Sequence, residues 1–212
     1  MKKTLTICGL LSLGELIVSG AVWSRVPDPM PIHWDASGRA DGYASRAVGL
    51  LLMPAITFGV PALVGLISLL DARLRKQSAW QSILTMTSLF FGLMHGLTIR
   101  ACLSDDHRLS TRAVMMGVGA LTIGIGFVLP NIKQNRFAGI RTPWTLSDER
   151  NWELTHRFGG WSAKVGGLIA ALSALVLPEL VMFWFALASM MAGMFAPIVF
   201  SYALHKARPL GR

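Results

Sequence analysis

The sequence predicts an all-α membrane protein with six transmembrane helices, both termini inside, one long outer loop and one long inner loop. Three observations carry this. Of the 212 residues only 15% are charged and 53% are hydrophobic, with a mean hydropathy of +0.52; a soluble domain carries about 25% charged residues. Six apolar stretches recur along the chain, each of about 20 residues and so long enough to cross roughly 30 Å of hydrocarbon. The net charge of +9 sits in short runs between those stretches, the pattern of the positive-inside rule rather than of a nucleic-acid surface.

Residues 4–23 form the first span, behind Lys2 and Lys3. A signal peptide has a similar outline, but Glu15 interrupts the apolar run and no small-residue cleavage site follows, so the span is read as retained. Leu5-Thr6-Ile7-Cys8 is too early for a lipoprotein box. Residues 24–46 are polar and rich in turn formers, and Pro27, Pro29 and Pro31 forbid a regular helix there. The second span, 47–70, holds Pro54 and Pro61, which a membrane helix tolerates when neighbours satisfy the carbonyls that proline leaves open. A basic link, 71–78, leads to the third span, 79–100, with His95 and Arg100. The link 101–111 carries Asp105, Asp106 and His107.

The fourth span, 112–130, contains Gly117, Gly119, Gly124 and Gly126 and stops at Pro130. Small residues at such spacing let another helix approach closely. The polar interval 131–160 precedes spans five and six, 161–177 and 180–204, which are joined by the tight turn Leu177-Pro178-Glu179. A basic tail follows. Cys8 and Cys102 fall near opposite membrane faces, so they are read as packing residues.

Lysines and arginines in alternate intervals decide the orientation. Thirteen fall with the termini, the 71–78 link and the 131–160 interval, and Lys164 at the start of the fifth span makes fourteen, against six in the other set. The larger set is cytoplasmic, so the 24–46 loop lies outside and the 131–160 loop inside. The chain divides into an N-terminal half, 1–78, and a C-terminal half, 79–212. These parts hold two and four spans; divided instead as three and three, the chain would have two halves inverted in the membrane, although the two long loops share no evident residue match.

Both loops carry dense motifs. In the inner loop Thr145 and Asp148 fit a capping box opening a helix, and Pro143 holds Thr142 extended. From Ser147 onward, Trp152, His156 and Gly159–Gly160 suit an amphipathic helix at the headgroups. Arg141, Arg150 and Arg157 suit anionic lipid or an acidic partner. Trp144, Trp152 and Trp161 stand where an aromatic belt would also put them.

The string Asn135-x-x-x-Gly139-Ile140-Arg141-Thr142-Pro143-Trp144-Thr145-Leu146, followed by Trp152 and Thr155-His156-Arg157, closely resembles the signature of the SdpI family of bacterial membrane immunity proteins. The outer string Pro31-x-His33-Trp34-Asp35-x-x-Gly38-x-x-Asp41-x-Tyr43 resembles the uncharacterised domain that forms the N-terminal half of SdpI-like proteins. Asp35 departs from the asparagine expected there. The resemblance implies a multi-pass protein of the bacterial cytoplasmic membrane, with no cofactor, that protects against a secreted, membrane-acting peptide toxin. It also implies recruitment of a transcriptional repressor to the membrane. On this view the outer motif faces the toxin, and the inner residues Asn135, Gly139, Arg141, Pro143, Trp144, Thr145, Trp152, His156 and Arg157 serve transmission.

Two other classes compete. In a small transporter or permease, Glu15, Pro54, Pro61 and the glycine-rich fourth span would line a pathway. In a metal-dependent membrane enzyme, His33, Asp35 and Asp41, with His107 or Asp105, would hold a divalent ion. The spacing is not that of a zinc site, and turn-capping explains these side chains more simply. No H-E-x-x-H, G-x-S-x-G or Walker loop is present, so no metal and no catalysis are expected. Glu15 is the ionisable residue deepest in a span, where a charge costs about 2.5–3.5 kcal/mol and calls for a partner. His95, at a similar depth, is the expected one.

Overall fold

A computed structural model describes residues 1–70 and 78–207 of the chain; the basic link at 71–77 and the tail at 208–212 lie outside the described residues. The elements are α1 (Lys2–Val22), an antiparallel hairpin of β1 (Met30–Trp34) and β2 (Ala40–Ala44), α2 (Arg46–Leu70), α3 (Ser78–Leu103), α4 (Thr111–Val128), a 3-10 turn (Leu129–Asn131), the short α5 (Pro143–Ser147), α6 (Glu149–Val176) and α7 (Glu179–Lys206). Among the described residues, six helices are long and apolar enough to cross a membrane. They overlap the six expected spans, the fifth beginning at Glu149 rather than at 161.

The burial pattern is that of a protein dissolved in lipid. On α1 the buried positions are Thr4, Cys8, Ser12, Glu15, Ser19 and Val22, a mostly polar stripe, while Leu10, Leu13, Leu16 and Ile17 face outward. In water this arrangement would be inverted. In hydrocarbon no apolar driving force separates helix from solvent, so polar contacts and close packing hold the helices together.

Prolines set where those polar contacts fall. A proline has no N–H for the carbonyl four residues before it. Pro54 therefore leaves the Leu50 carbonyl open, and Ser19 of α1 donates to it at 2.8 Å. Pro61 leaves Thr57 open, and Ser88 of α3 donates there at 3.0 Å. Pro197 leaves Gly193 open, and Ser162 of α6 donates at 2.8 Å. Each proline inside a membrane helix is thus answered by a serine from the helix beside it, the compensation that bilayer burial demands.

Glycines set the second half. A Cβ on Gly119 would stand 2.7 Å from the Gly167 carbonyl, and one on Gly126 2.8 Å from the Gly160 carbonyl. α4 and α6 therefore touch backbone to backbone at two points seven residues apart on each helix. Gly117 and Gly124 face the other way, onto Leu93 and Met86 of α3. The helices group as α1–α2–α3 and α4–α6–α7, with α3 also packing on α4. An apolar cavity of about 240 Å³, lined by Met86, Leu89, Phe90, Leu93, Gly117, Ala120 and Leu121, lies at that seam.

Three local expectations are corrected. The 24–46 loop contains a β-hairpin, with Met30 opposite Ala44, Pro31 opposite Tyr43 and Trp34 opposite Ala40. The capping box does not run from Thr145 to Asp148. Thr142 is the N-cap, Pro143 the first helical residue and Thr145 the third, while Asp148 caps α6 instead by accepting from the Arg150 N–H. Nor is there a separate interfacial helix after Ser147: α6 is continuous from Glu149, and Trp152 and His156 are buried within the bundle.

Candidate functional site

At the outer end the hairpin is built by its own motif. Asp35 Oδ1 accepts from the Ser37 N–H (2.8 Å), the Ser37 hydroxyl (2.7 Å) and the Arg39 N–H (3.0 Å). The Ser37 hydroxyl and the Arg39 main chain hold its carboxyl below the ordinary aspartate value. Gly38 has φ +75°, and a Cβ there would meet the Leu109 carbonyl at 2.3 Å, so the tip can seat against the 104–110 link only with glycine. Three bonds lock it down: Leu109 N–H to the Gly38 carbonyl (3.0 Å), Arg108 Nη2 to the Ser37 carbonyl (2.6 Å) and Trp34 Nε1 to the His107 carbonyl (3.0 Å). Pro31 is buried, and its carbonyl accepts from Cys102 Sγ. Below, Met30 joins Val22, Val26, Leu50, Ile99 and Cys102 in one apolar cluster, with Trp34 against it.

His33 and Asp41 are left facing outward, paired Nδ1 to Oδ1 at 2.5 Å with side chains 72% and 48% exposed. Ile32 and Tyr43 are exposed beside them. His33 is thus bonded to Asp41, Asp35 is spent on the turn, and among the described residues no group of three His, Cys, Asp or Glu side chains is placed to hold a metal ion.

At the inner end the 131–148 loop folds back over the start of α6. Trp152, 1% exposed, donates from Nε1 to the Ile132 carbonyl (2.7 Å) and stacks on His156 with ring centroids 4.0 Å apart. His156 Nε2 accepts the Ile140 main-chain N–H at 3.0 Å. That N–H can only donate, so the proton of the neutral ring is on Nδ1, which donates to the Trp152 carbonyl at 2.8 Å. Gly139, at φ +112°, passes directly over the stack: a Cβ there would lie 2.3 Å from His156 Nε2. Asn135 ties the loop to itself, accepting from the Phe137 and Ala138 N–H groups (both 2.8 Å) and donating to the Lys133 carbonyl (2.8 Å).

The same loop reaches α7. Thr145 Oγ1 bonds the Ile140 carbonyl (2.8 Å), Thr142 Oγ1 meets Ser201 Oγ (3.2 Å), and Asn151 Nδ2 donates to the Ser201 carbonyl (2.9 Å). Trp144 packs on Tyr202 and His205 at centroid distances of 5.0 and 5.8 Å. Most of the motif is therefore architectural, and what it presents outward is Phe137 with Arg136, Arg141, Arg150 and Arg157, all exposed. Of the three tryptophans expected in an aromatic belt, Trp161 faces outward, Trp144 is half-buried and Trp152 is enclosed.

Residues 131–201 match the SdpI/YfhL protein family, and residues 10–58 match a domain of unknown function, DUF1648. Over 171 residues the chain is 24% identical to the immunity protein SdpI of Bacillus subtilis (strain 168), covering 81% of each. The chain is SdpI-like. No solved structure matches it. The SdpI-matching region holds the inner loop, α5, α6 and most of α7, which is the bonded unit just described. The other region runs from α1 through the hairpin into α2. With its six spans, this SdpI-like chain is a multi-pass protein of the bacterial inner membrane.

The expected pairing of Glu15 with His95 is not what the fold makes. Both are buried at the α1–α2–α3 interface, 7% and 2% exposed, but Glu15 Oε1 accepts from Thr57 Oγ1 (3.0 Å) and His95 Nε2 bonds Ser19 Oγ (2.9 Å). Ser19, one turn beyond Glu15 on α1, takes the His95 ring, and Thr57 of α2 takes the Glu15 carboxyl. Sequence reading placed Thr142 only as an extended residue before Pro143, and missed Asn151 and Ser201 at the inner site and Ser19 and Thr57 in the membrane. Only Thr142 carried a local signal, as a threonine directly before a helix-opening proline.

Proposed function

We propose that this is an integral membrane immunity and signalling protein, acting by recognition rather than turnover. The outer hairpin meets a membrane-acting peptide, and the inner loop is the transmitting face that recruits a repressor. The similarity to a protein named for immunity, over most of both chains, is the observation that carries the reading. The two motifs agree with it. Each spends its polar residues on fixing a loop to the bundle, and each leaves a small outward face: His33, Asp41, Ile32 and Tyr43 outside, Phe137 and four arginines inside. Rigid presentation of a few exposed side chains suits binding.

The test is survival. Cells with and without the protein are challenged with secreted bacterial peptides that damage membranes, and a tagged copy is used to pull down inner-side partners. Protection by the wild type is expected to fall in Tyr43→Ala, and partner recovery to fall in Arg141→Ala with Arg157→Ala. If these variants reach the membrane at normal levels and change neither readout, the assigned faces are wrong. If no peptide separates carrying from non-carrying cells, the function itself is wrong.

A second reading, a small permease, draws on the polar stripe of α1. Against it, the Leu50 and Thr57 carbonyls are closed by Ser19 and Ser88, and the α4 glycines are filled by neighbouring helices. Ion or solute flux in proteoliposomes would favour it nonetheless.

A further inference from the structure

In the α1–α2–α3 group, hydrogen bonding fixes where the protons sit and leaves Glu15 Oε2 and His95 Nδ1 unsatisfied, as are Arg46 Nε on α2 and Trp80 Nε1 on α3. The Leu50 carbonyl can only accept, so the single proton of Ser19 goes to it at 2.8 Å. Ser19 Oγ must then accept from His95, which places a proton on His95 Nε2 across the 2.9 Å contact. In a neutral ring His95 Nδ1 is bare, and it is buried with no partner. On the other side, the Thr57 hydroxyl proton is committed to Glu15 Oε1 at 3.0 Å. Glu15 Oε2 is buried and has no partner either.

The two orphans share one neighbourhood. The Glu15 carboxyl lies against α3 at Gly92, where a Cβ would approach Oε1 at 3.2 Å, three residues before His95. The His95 ring in turn lies beside the Glu15 main-chain carbonyl. Buried orphan polar atoms are rare in native proteins and mark a functional group or an exchangeable partner. The two atoms are not bonded to each other, and an added proton has two places to go: on Glu15 Oε2 it leaves two neutral groups, and on His95 Nδ1 it makes an ion pair. The net charge is zero in either placement, which hydrocarbon surroundings favour.

We propose that Glu15 and His95 hold one proton in common, making this interface a proton-binding site within the membrane. The other ionisable groups of these helices stand a turn or more along them, and Arg46 Nε is itself buried without a partner. On α1 these are Cys8, held by Ser88 at 3.3 Å, and Lys2 and Lys3 at the inner end. On α2 there is Arg46, one turn outward of Leu50, and on α3 Arg100 and Cys102 near the outer end. Leu50 connects the site to the hairpin, since its carbonyl takes the Ser19 bond and its side chain packs with Met30. Proton placement is therefore linked to the seat of the outer motif. The proposal stands apart from the immunity reading.

Infrared titration of the full-length protein in lipid nanodiscs tests it. A protonated-carboxyl band should disappear as pH rises, be absent in Glu15→Gln, and move its midpoint by about one pH unit or more in His95→Gln, as coupled sites do. A band set unchanged in Glu15→Gln overturns the proposal, as does a midpoint indifferent to His95→Gln. Should Glu15→Gln fail to insert, Glu15→Asp keeps a carboxyl on a shorter stem and must shift the band; no shift is equally fatal. Loss of the band on adding sodium at fixed pH would make the occupant a metal cation instead and overturn the assignment.

Discussion

Ser162 donates to the Gly193 carbonyl at 2.8 Å, the carbonyl that Pro197, four residues on, leaves without its in-helix donor. Removing the hydroxyl in Ser162→Ala should lower stability by about 0.5–1.5 kcal/mol, the range of interhelical hydrogen bonds in membranes. Pro197→Ala restores the N–H, so in its presence Ser162→Ala should become nearly silent. A double-mutant cycle of denaturant unfolding in micelles reads the coupling directly. Additive losses would show that the serine does not compensate for the proline.

Gly139→Ala should undo the inner clamp. Its Cβ would fall 2.3 Å from His156 Nε2 at a φ of +112°, and backbone strain alone costs about 1–3 kcal/mol. The expected outcome is a loop between 131 and 148 that proteases cut, with the Trp152 emission shifted towards that of a wetter indole. A resistant loop would show that the stack has room to spare.

Gly119→Ala tests the α4–α6 contact, because the new methyl would meet the Gly167 carbonyl at 2.7 Å. Overpacking of this kind costs about 1–3 kcal/mol, and micellar unfolding should show it. Gly20→Ala, where nothing lies within 4 Å, is the control and should be silent.

Asp35 gives the hairpin an acid limit. Hydrogen bonds from the Ser37 hydroxyl and the Arg39 main chain hold its carboxyl below the ordinary value of 3.8. Its contribution is therefore fully present above that value and is lost as pH falls through the lower, folded one. Trp34 fluorescence should stay constant from neutral pH down to that range and change below it. Asp35→Asn keeps an acceptor and removes the titration, so this acid transition should vanish. A transition retained in the variant would assign it to another group.

Sidedness is checked by thiol labelling. Cys8 and Cys102 are buried, so the wild type gives a low background. An impermeant maleimide should label His33→Cys in intact cells and Arg141→Cys only after permeabilisation. Labelling of both from outside would redraw the topology.

The spans were legible because hydrocarbon thickness imposes a length and a composition that any apolar run of about 20 residues displays. The glycine spacing of α4 was also readable, since Gly119 and Gly126 recur at the interval a neighbouring helix needs. The hidden polar contacts within the membrane depended on which helix stands beside which. Nothing local to Pro54 says that Ser19 will close Leu50, and nothing near Glu15 says that Thr57 will reach it first. The hairpin escaped because two five-residue strands, the first holding Pro31 and the second Gly42, carry almost no period. Trp152 and His156 were placed at the headgroups because the helix from Ser147 was read as a separate amphipathic segment ahead of the apolar run, whereas α6 runs unbroken from its cap, Asp148.

The contrast between the two faces of α4 has a mechanical meaning. Towards α6 it meets backbone directly, through Gly119 and Gly126, so those two rods cannot slide without collision. Towards α3 it meets the ends of Leu93 and Met86 beside a cavity of about 240 Å³. The compliance of the molecule is therefore concentrated along one line. A push on the hairpin would tilt α1–α2–α3 as a block against a stiff partner, with methionine and leucine side chains serving as the bearing.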